Sequence, residues 1–180
     1  MGEKKKDWEK GYIHVYTGNG KGKTTAALGL ALRATGAGMK SYFGQFMKGR
    51  HYSELDSVRE HLPGITIEQY GQPDFCVPGK VSPDDLRLAA EGFRKAKGAL
   101  DSGEFDIVVL DEINTALYFK LLEVNDVLGL MRSKPPAVEL VLTGRYAPEE
   151  VIDAADLVTE MKEIKHYFEA GVDSRAGIES

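Results

Sequence analysis

The chain has 180 residues, 42% hydrophobic and 28% charged, with 23 basic and 28 acidic side chains for a net charge of −5. That length suits one domain with a single sizeable core. The sequence shows no basic stripe of the kind nucleic acid selects and no apolar run near the roughly 20 residues of a membrane span, and Cys76, as the one cysteine, excludes an intramolecular disulfide.

Residues 1–10 form a polar tail with lysines at 4, 5 and 6 and no apolar core of a signal peptide, so a cytoplasmic location is expected. Trp8 is placed to pin the end of that tail. From 11 to 180, short β-rich runs alternate with longer helical patterns, the sign of a parallel sheet with crossover helices. Residues 12–16 read as the first strand. A helix follows over about 24–35, with Ala26, Leu28, Leu30, Ala31 and Leu32 apolar, and Gly36 and Gly38 supply its stop. Residues 40–47 read as a strand, 53–61 as a short helix and 65–70 as a third strand. The proline- and glycine-rich stretch 71–83 is a loop, and Pro83 opens a long helix with Ser82 as N-cap. Ile107-Val108-Val109-Leu110 is apolar at every position, as a central parallel strand should be. A helical region then runs to about Arg132 and breaks at Pro135-Pro136. A strand over 138–142, a short helix from Pro148 and a strand over 157–161 complete the chain. The expected fold is one α/β domain over 11–180, an open, mostly parallel sheet of about six strands with helices on both faces.

Between the first strand and its helix lies Gly18-Asn19-Gly20-Lys21-Gly22-Lys23-Thr24. Glycines let backbone N–H groups turn inward around an anion, and the helix start aims its dipole at the same point. Lys23 suits the outer phosphates of ATP and Thr24 a metal ion. Lys21 adds a second positive charge, fitting a triphosphate. The spacing departs from G-x-x-x-x-G-K-[ST], because Thr17 stands where the first glycine belongs. Even so, strand, loop and helix together point to a P-loop NTPase-like sheet. Asp111 and Glu112 follow the all-apolar strand and so fall on the edge where ligands of open α/β sheets bind. Asp111 is expected to meet magnesium held by Thr24, and Glu112 would activate water in a hydrolase. Arg145 ends another strand on that edge, where a phosphate clamp and a solvent ion pair are equally good readings. His14 reads as a satisfied near-core residue, and no His/Cys cluster suggests zinc. The loop and acidic pair alone fit a small-molecule kinase or ATPase equally well.

The loop, with its shortened spacing and following Thr25, resembles the phosphate loop of the P-loop corrinoid (cob(I)alamin) adenosyltransferases. The resemblance continues through Gln45-Phe46-Met47-Lys48-Gly49, Val109-Leu110-Asp111-Glu112 and Leu142-Thr143-Gly144-Arg145. It resumes at residues 155–161, 165–172 and Gly177-Ile178-Glu179. It implies attack by reduced cobalt on C5′ of ATP, forming an adenosylated corrinoid and expelling triphosphate. Cobalt(I) carries no proton, so no general base is needed, and Glu112 is left to orient the metal or the nucleotide. Gly18, Asn19, Gly20, Lys21, Gly22, Lys23, Thr24, Thr25 and Arg145 would hold the nucleotide, with Mg2+ or Mn2+ on Thr24, Asp111 and Glu112. Lys21, Lys23 and the metal would stabilise the departing charge. The resemblance also implies a reversed sense of ATP binding, a homodimer and an electron-donating flavoprotein reductase. One stretch departs from it. Gly71-Gln72-Pro73-Asp74-Phe75-Cys76 stands where many members carry a glycine-aromatic-x-Trp motif, which leaves Phe75 as the aromatic candidate to face the corrinoid. That change also leaves open a non-catalytic module that binds ATP and corrinoid.

Overall fold

The computed structural model describes residues 8–74 and 79–180. Its strands are β1 (Ile13–Thr17), β2 (Ser41–Phe46), β3 (Ile65–Tyr70), β4 (Ile107–Asp111), β5 (Glu139–Thr143) and β6 (Leu157–Glu160). They form one six-stranded sheet in the order β3-β2-β4-β5-β1-β6, with every pairing parallel. The helices are α1 (Lys23–Gly36), α2 (Ser53–His61), α3 (Pro83–Asp101), α4 (Ile113–Tyr118), α5 (Val124–Ser133) and α6 (Glu149–Asp153).

Every residue of β2 and β4 is buried, because both strands are covered on two faces. The alternation of β4 divides the core. Val108 and Leu110 pack with Phe46, Leu140 and residues of α3 to α6, whereas Ile107 and Val109 pack with Phe43, Val141 and residues of α1 and α2. On α1 the buried stripe is Ala27, Ala31 and Ala34, spaced to keep one face of a helix on the sheet, while Leu32 is 53% exposed. Gly36 remains inside α1. The stop is Gly38 at φ 76, with Met39 N–H donating to the Ala34 carbonyl, a Schellman ending.

The long helix begins as its sequence indicates. Ser82 Oγ accepts from Asp85 N–H and the Asp85 carboxylate accepts from Ser82 N–H, with Pro83 in the first turn. The helical region after β4 is made of two helices, α4 and α5. Lys120 at φ 58 turns the chain, and Leu121 N–H donates to the Ala116 carbonyl, closing α4 with a Schellman motif in which lysine holds the place usual for glycine. His14 is satisfied, its Nε2 lying 2.5 Å from Glu139 Oε1.

Two glycines of α3 have opposite surroundings. A Cβ at Gly92 would lie 2.6 Å from Cγ of Tyr70, whereas one at Gly98 would meet nothing within 4 Å. Gly92→Ala is therefore expected to destabilise the protein by about 1–2 kcal/mol, overpacking outweighing helix propensity. Gly98→Ala is expected to stabilise it by about 0.5–1 kcal/mol. Urea midpoints of the two variants, moving in opposite directions from that of the unsubstituted chain, check the pair.

Candidate active site

The phosphate loop sits between β1 and α1 and leans on the end of β6. Gly20 N–H donates to the Met161 carbonyl at 2.7 Å. A Cβ at Gly18 or Gly20 would fall 2.5 or 2.7 Å from that same oxygen, so both positions demand glycine for close approach. Lys23 Nζ donates to the carbonyls of Gly18 at 2.7 Å and Gly20 at 2.8 Å, spanning the loop from within. Burial lowers its pKa, and the negative charge of Glu112 works against that.

Asp111, fully buried at the end of β4, is the hub of the site. Its Oδ1 accepts from Thr143 Oγ1 at 2.6 Å and from Thr24 Oγ1 at 2.9 Å. Its Oδ2 accepts from Lys48 Nζ at 2.9 Å and from Gln45 Nε2 at 3.5 Å. Burial disfavours the Lys48 charge, but the carboxylates of Asp111, Glu54 and Glu112 together outweigh it and the pKa of Lys48 is raised. The donor set suits a cation: one carboxylate and one hydroxyl converge, and a lysine ammonium already stands against them. Among the described residues no group of three or more His, Cys, Asp or Glu is placed to hold a metal. A divalent ion here would therefore take most of its ligands from phosphate and water.

Glu112 adopts the left-handed conformation at φ 62. Its N–H donates to Thr143 Oγ1 at 3.0 Å, and its Oε2 accepts from Thr115 Oγ1. Burial and the neighbouring Asp111 charge raise its pKa. A cavity of about 690 Å3 opens above these groups, with the loop from Gly20 to Thr25 on one side and Lys48, Glu112 and Arg145 among its walls. That volume falls within the ~300–1,000 Å3 of small-molecule sites. Another wall is made by residues 174–180, with Tyr52, Ser53, Glu54 and Ser57 beside them. Lys21 Nζ donates to the Ile178 carbonyl at 2.9 Å, and Ser53 Oγ donates to the Ser180 carbonyl at 3.0 Å. Glu179 holds this stretch in shape by accepting from Tyr167 and Arg175.

The structure thus brings Gly20, Lys21, Gly22, Lys23, Thr24, Thr25, Glu112 and Arg145 to one cavity, with Asp111 hydrogen-bonded to Thr24 beneath it. Lys21 engages the C-terminal stretch, and Asn19 is exposed. Phe75 and Cys76 lie outside the described residues. Sequence reasoning assigned no role to Lys48, Thr143, Gln45 or residues 174–180. Lys48 follows β2 as Glu112 follows β4, so the rule that ligands gather at the C-terminal edge could have found it.

The family described as ATP:corrinoid adenosyltransferase BtuR/CobO/CobP matches residues 9–180. A corrinoid adenosyltransferase of Sinorhizobium sp. is 36% identical over 173 residues, covering 95% of this chain and 81% of that one. An uncharacterized protein of Nostoc sp. is 41% identical over 170 residues, covering 87% of this chain, which spans 45% of that protein's length. In fold, the chain is similar to the crystal structure of the RadB recombinase. The TM-score is 0.55 at 15% identity, covering 88% of this chain and 77% of that one.

Removing Asp111 would strand the buried Lys48 ammonium. Asp111→Ala is expected to cost about 3–5 kcal/mol, and adding Lys48→Met should recover at least about 1 kcal/mol of it; urea denaturation of the single and double variants measures both. The raised pKa of Glu112 makes its ionisation unfavourable to the folded state. Its contribution is fully present below the ordinary value of 4.5 and is lost as pH rises through the folded pKa. Glu112→Gln should accordingly raise the thermal midpoint at pH 7 and leave it unchanged near pH 4.

Proposed function

The chain belongs to the ATP:corrinoid adenosyltransferase family, and on that footing we propose that it moves the 5′-deoxyadenosyl group of ATP to the reduced cobalt of cobalamin or a related corrinoid. The observation that carries this reading is the phosphate loop. Its Lys23 and Thr24 border a cavity of about 690 Å3, Thr24 is bonded to Asp111, and the family match runs from residue 9 to 180.

In this reaction the electron pair of cobalt(I) forms the bond to C5′ while the bond from C5′ to the triphosphate oxygen breaks. Those bonding electrons leave on triphosphate, and cobalt ends as cobalt(III). No proton moves, so the protein has no base to supply, and its work is positioning and charge stabilisation. Lys23 exchanges the Gly18 and Gly20 carbonyls for phosphate oxygens, and Lys21 exchanges the Ile178 carbonyl for the same ligand. The loop N–H groups of Lys21 and Gly22 and the start of α1 receive the chain of phosphates, Asn19 and Thr25 flank it, and Arg145 adds a cation from the cavity wall. Mg2+ or Mn2+ fits on Thr24 and Asp111, where it would neutralise charge on the leaving group. Glu112, whose carboxyl is steadied by Thr115, orients the nucleotide or the metal. By family resemblance, Phe75 of the divergent loop is the aromatic candidate for the corrinoid.

We further propose that residues 11–180 act as one domain and that the enzyme works as a cytoplasmic homodimer supplied with electrons by a flavoprotein. The family resemblance supports these assignments, and no described helix is long and apolar enough to cross a membrane.

Incubation with Mg-ATP and chemically reduced cobalamin should give the spectrum of adenosylcobalamin and triphosphate in equal amounts. ADP formed without corrinoid would instead identify a hydrolase, if orthophosphate accompanies it, or a kinase, if the phosphoryl group goes to an acceptor, and corrinoid binding without turnover a regulatory module. Lys23→Ala should abolish nucleotide-dependent activity while circular dichroism stays native. Normal turnover by that variant would refute the role given to the loop.

A further inference from the structure

Lys48 stands where a metal ion would be expected. Its Nζ lies 2.9 Å from Asp111 Oδ2 and 3.4 Å from Thr24 Oγ1, with Glu54 Oε1 at 3.9 Å. The side chain is only 14% exposed and passes over the ring of Tyr52. Its backbone is held as firmly as its head group. Met47 is in the left-handed conformation at φ 56, which turns the chain back after β2. A Cβ on Gly71 would lie 2.3 Å from Lys48 N, and one on Gly49 would lie 2.2 Å from the Gly71 carbonyl oxygen. Residues 47–49 are thus clamped against the chain that leaves β3. A cation delivered by a strained and clamped turn onto a fully buried carboxylate is a built feature.

We propose that Lys48 is the resident counter-ion of the metal site, shutting free divalent ions out and yielding Asp111 only to a metal that arrives with the triphosphate. The inference rests on the reading that Thr24 and Asp111 hold that metal. Charge balance gives its reason. Asp111 and Lys48 together are neutral, so a divalent ion entering alone would sit beside an ammonium with only Glu54 and Glu112 nearby to offset its two positive charges. A metal carried on triphosphate brings net negative charge with it. The ammonium can then leave the carboxylate for a phosphate oxygen, and every charge stays paired. Lys48 is in this sense a positioning residue that couples metal entry to nucleotide entry.

The test uses Mn2+ alone, with the free ion counted by electron paramagnetic resonance, on the full chain and on Lys48→Met, Lys48→Gln, Lys48→Arg and Asp111→Asn. The unsubstituted chain and Lys48→Arg should bind Mn2+ weakly, and Lys48→Met roughly tenfold or more tightly than either. Lys48→Gln keeps a hydrogen bond to Asp111 and should behave as Lys48→Met does, which decides the matter if the methionine variant fails to fold. Equal Mn2+ affinity in the unsubstituted chain and the uncharged variants overturns the inference. A separate titration with Mn2+ and ATP tests the reading beneath it. If Asp111→Asn binds the metal–nucleotide pair as tightly as the unsubstituted chain, the metal assignment itself fails. If Asp111→Asn loses that binding while the Lys48 variants show no gain, only the counter-ion role fails.

Discussion

A carboxylate with no exposure to solvent, Asp111, sets the terms for the rest of the site. Burying such a charge is costly unless it is paired and its lone pairs are filled. Here the partners come from separate parts of the chain: Thr24 from α1, Thr143 from β5, Lys48 from the turn after β2 and Gln45 from β2 itself. Each can reach Asp111 only if its own element is correctly seated. Satisfying one side chain therefore fixes the start of α1, the pairing of β4 with β5 and the turn after β2 together.

The glycines of the phosphate loop answer a second constraint. Gly18 and Gly20 are packed against the Met161 carbonyl, so the loop is shaped by the edge strand behind it as well as by any anion in front. This gives the shortened spacing a physical setting. The loop of this chain must pass close to another backbone at Gly18, one position after the usual first glycine, and Thr17 before it is still the last residue of β1.

Much of the scaffold was legible because parallel strands buried on both faces advertise themselves as apolar runs, as at Ile107 to Leu110. The break after α4 was not, because the left-handed residue that ends it is Lys120 rather than glycine. The buried stripe of α1 was only partly visible, since its small Ala27, Ala31 and Ala34 carry less signal than the larger Leu28, Leu30 and Leu32 around them. In the site, Lys23, Thr24 and Asp111 were readable from local motif and strand position. The place of Lys48 at the C-terminal edge was legible, but its role was not, because that depends on a strained turn at Met47 and a long-range partner on another strand. The wall formed by residues 174–180 was likewise hidden, since it is held to the loop by backbone carbonyls, which any residue type provides.

The strand order has a consequence for how the protein is made. β1, which leads into the phosphate loop, pairs only with β5 and β6, and Tyr12 is bonded to Glu139 across 127 residues of chain. Chains emerge from the ribosome N-terminus first, and pairings this distant close late. The loop thus acquires its shape late, because Met161, the group it leans on, lies far downstream of it in the chain. A nascent chain displays the motif long before it possesses the pocket.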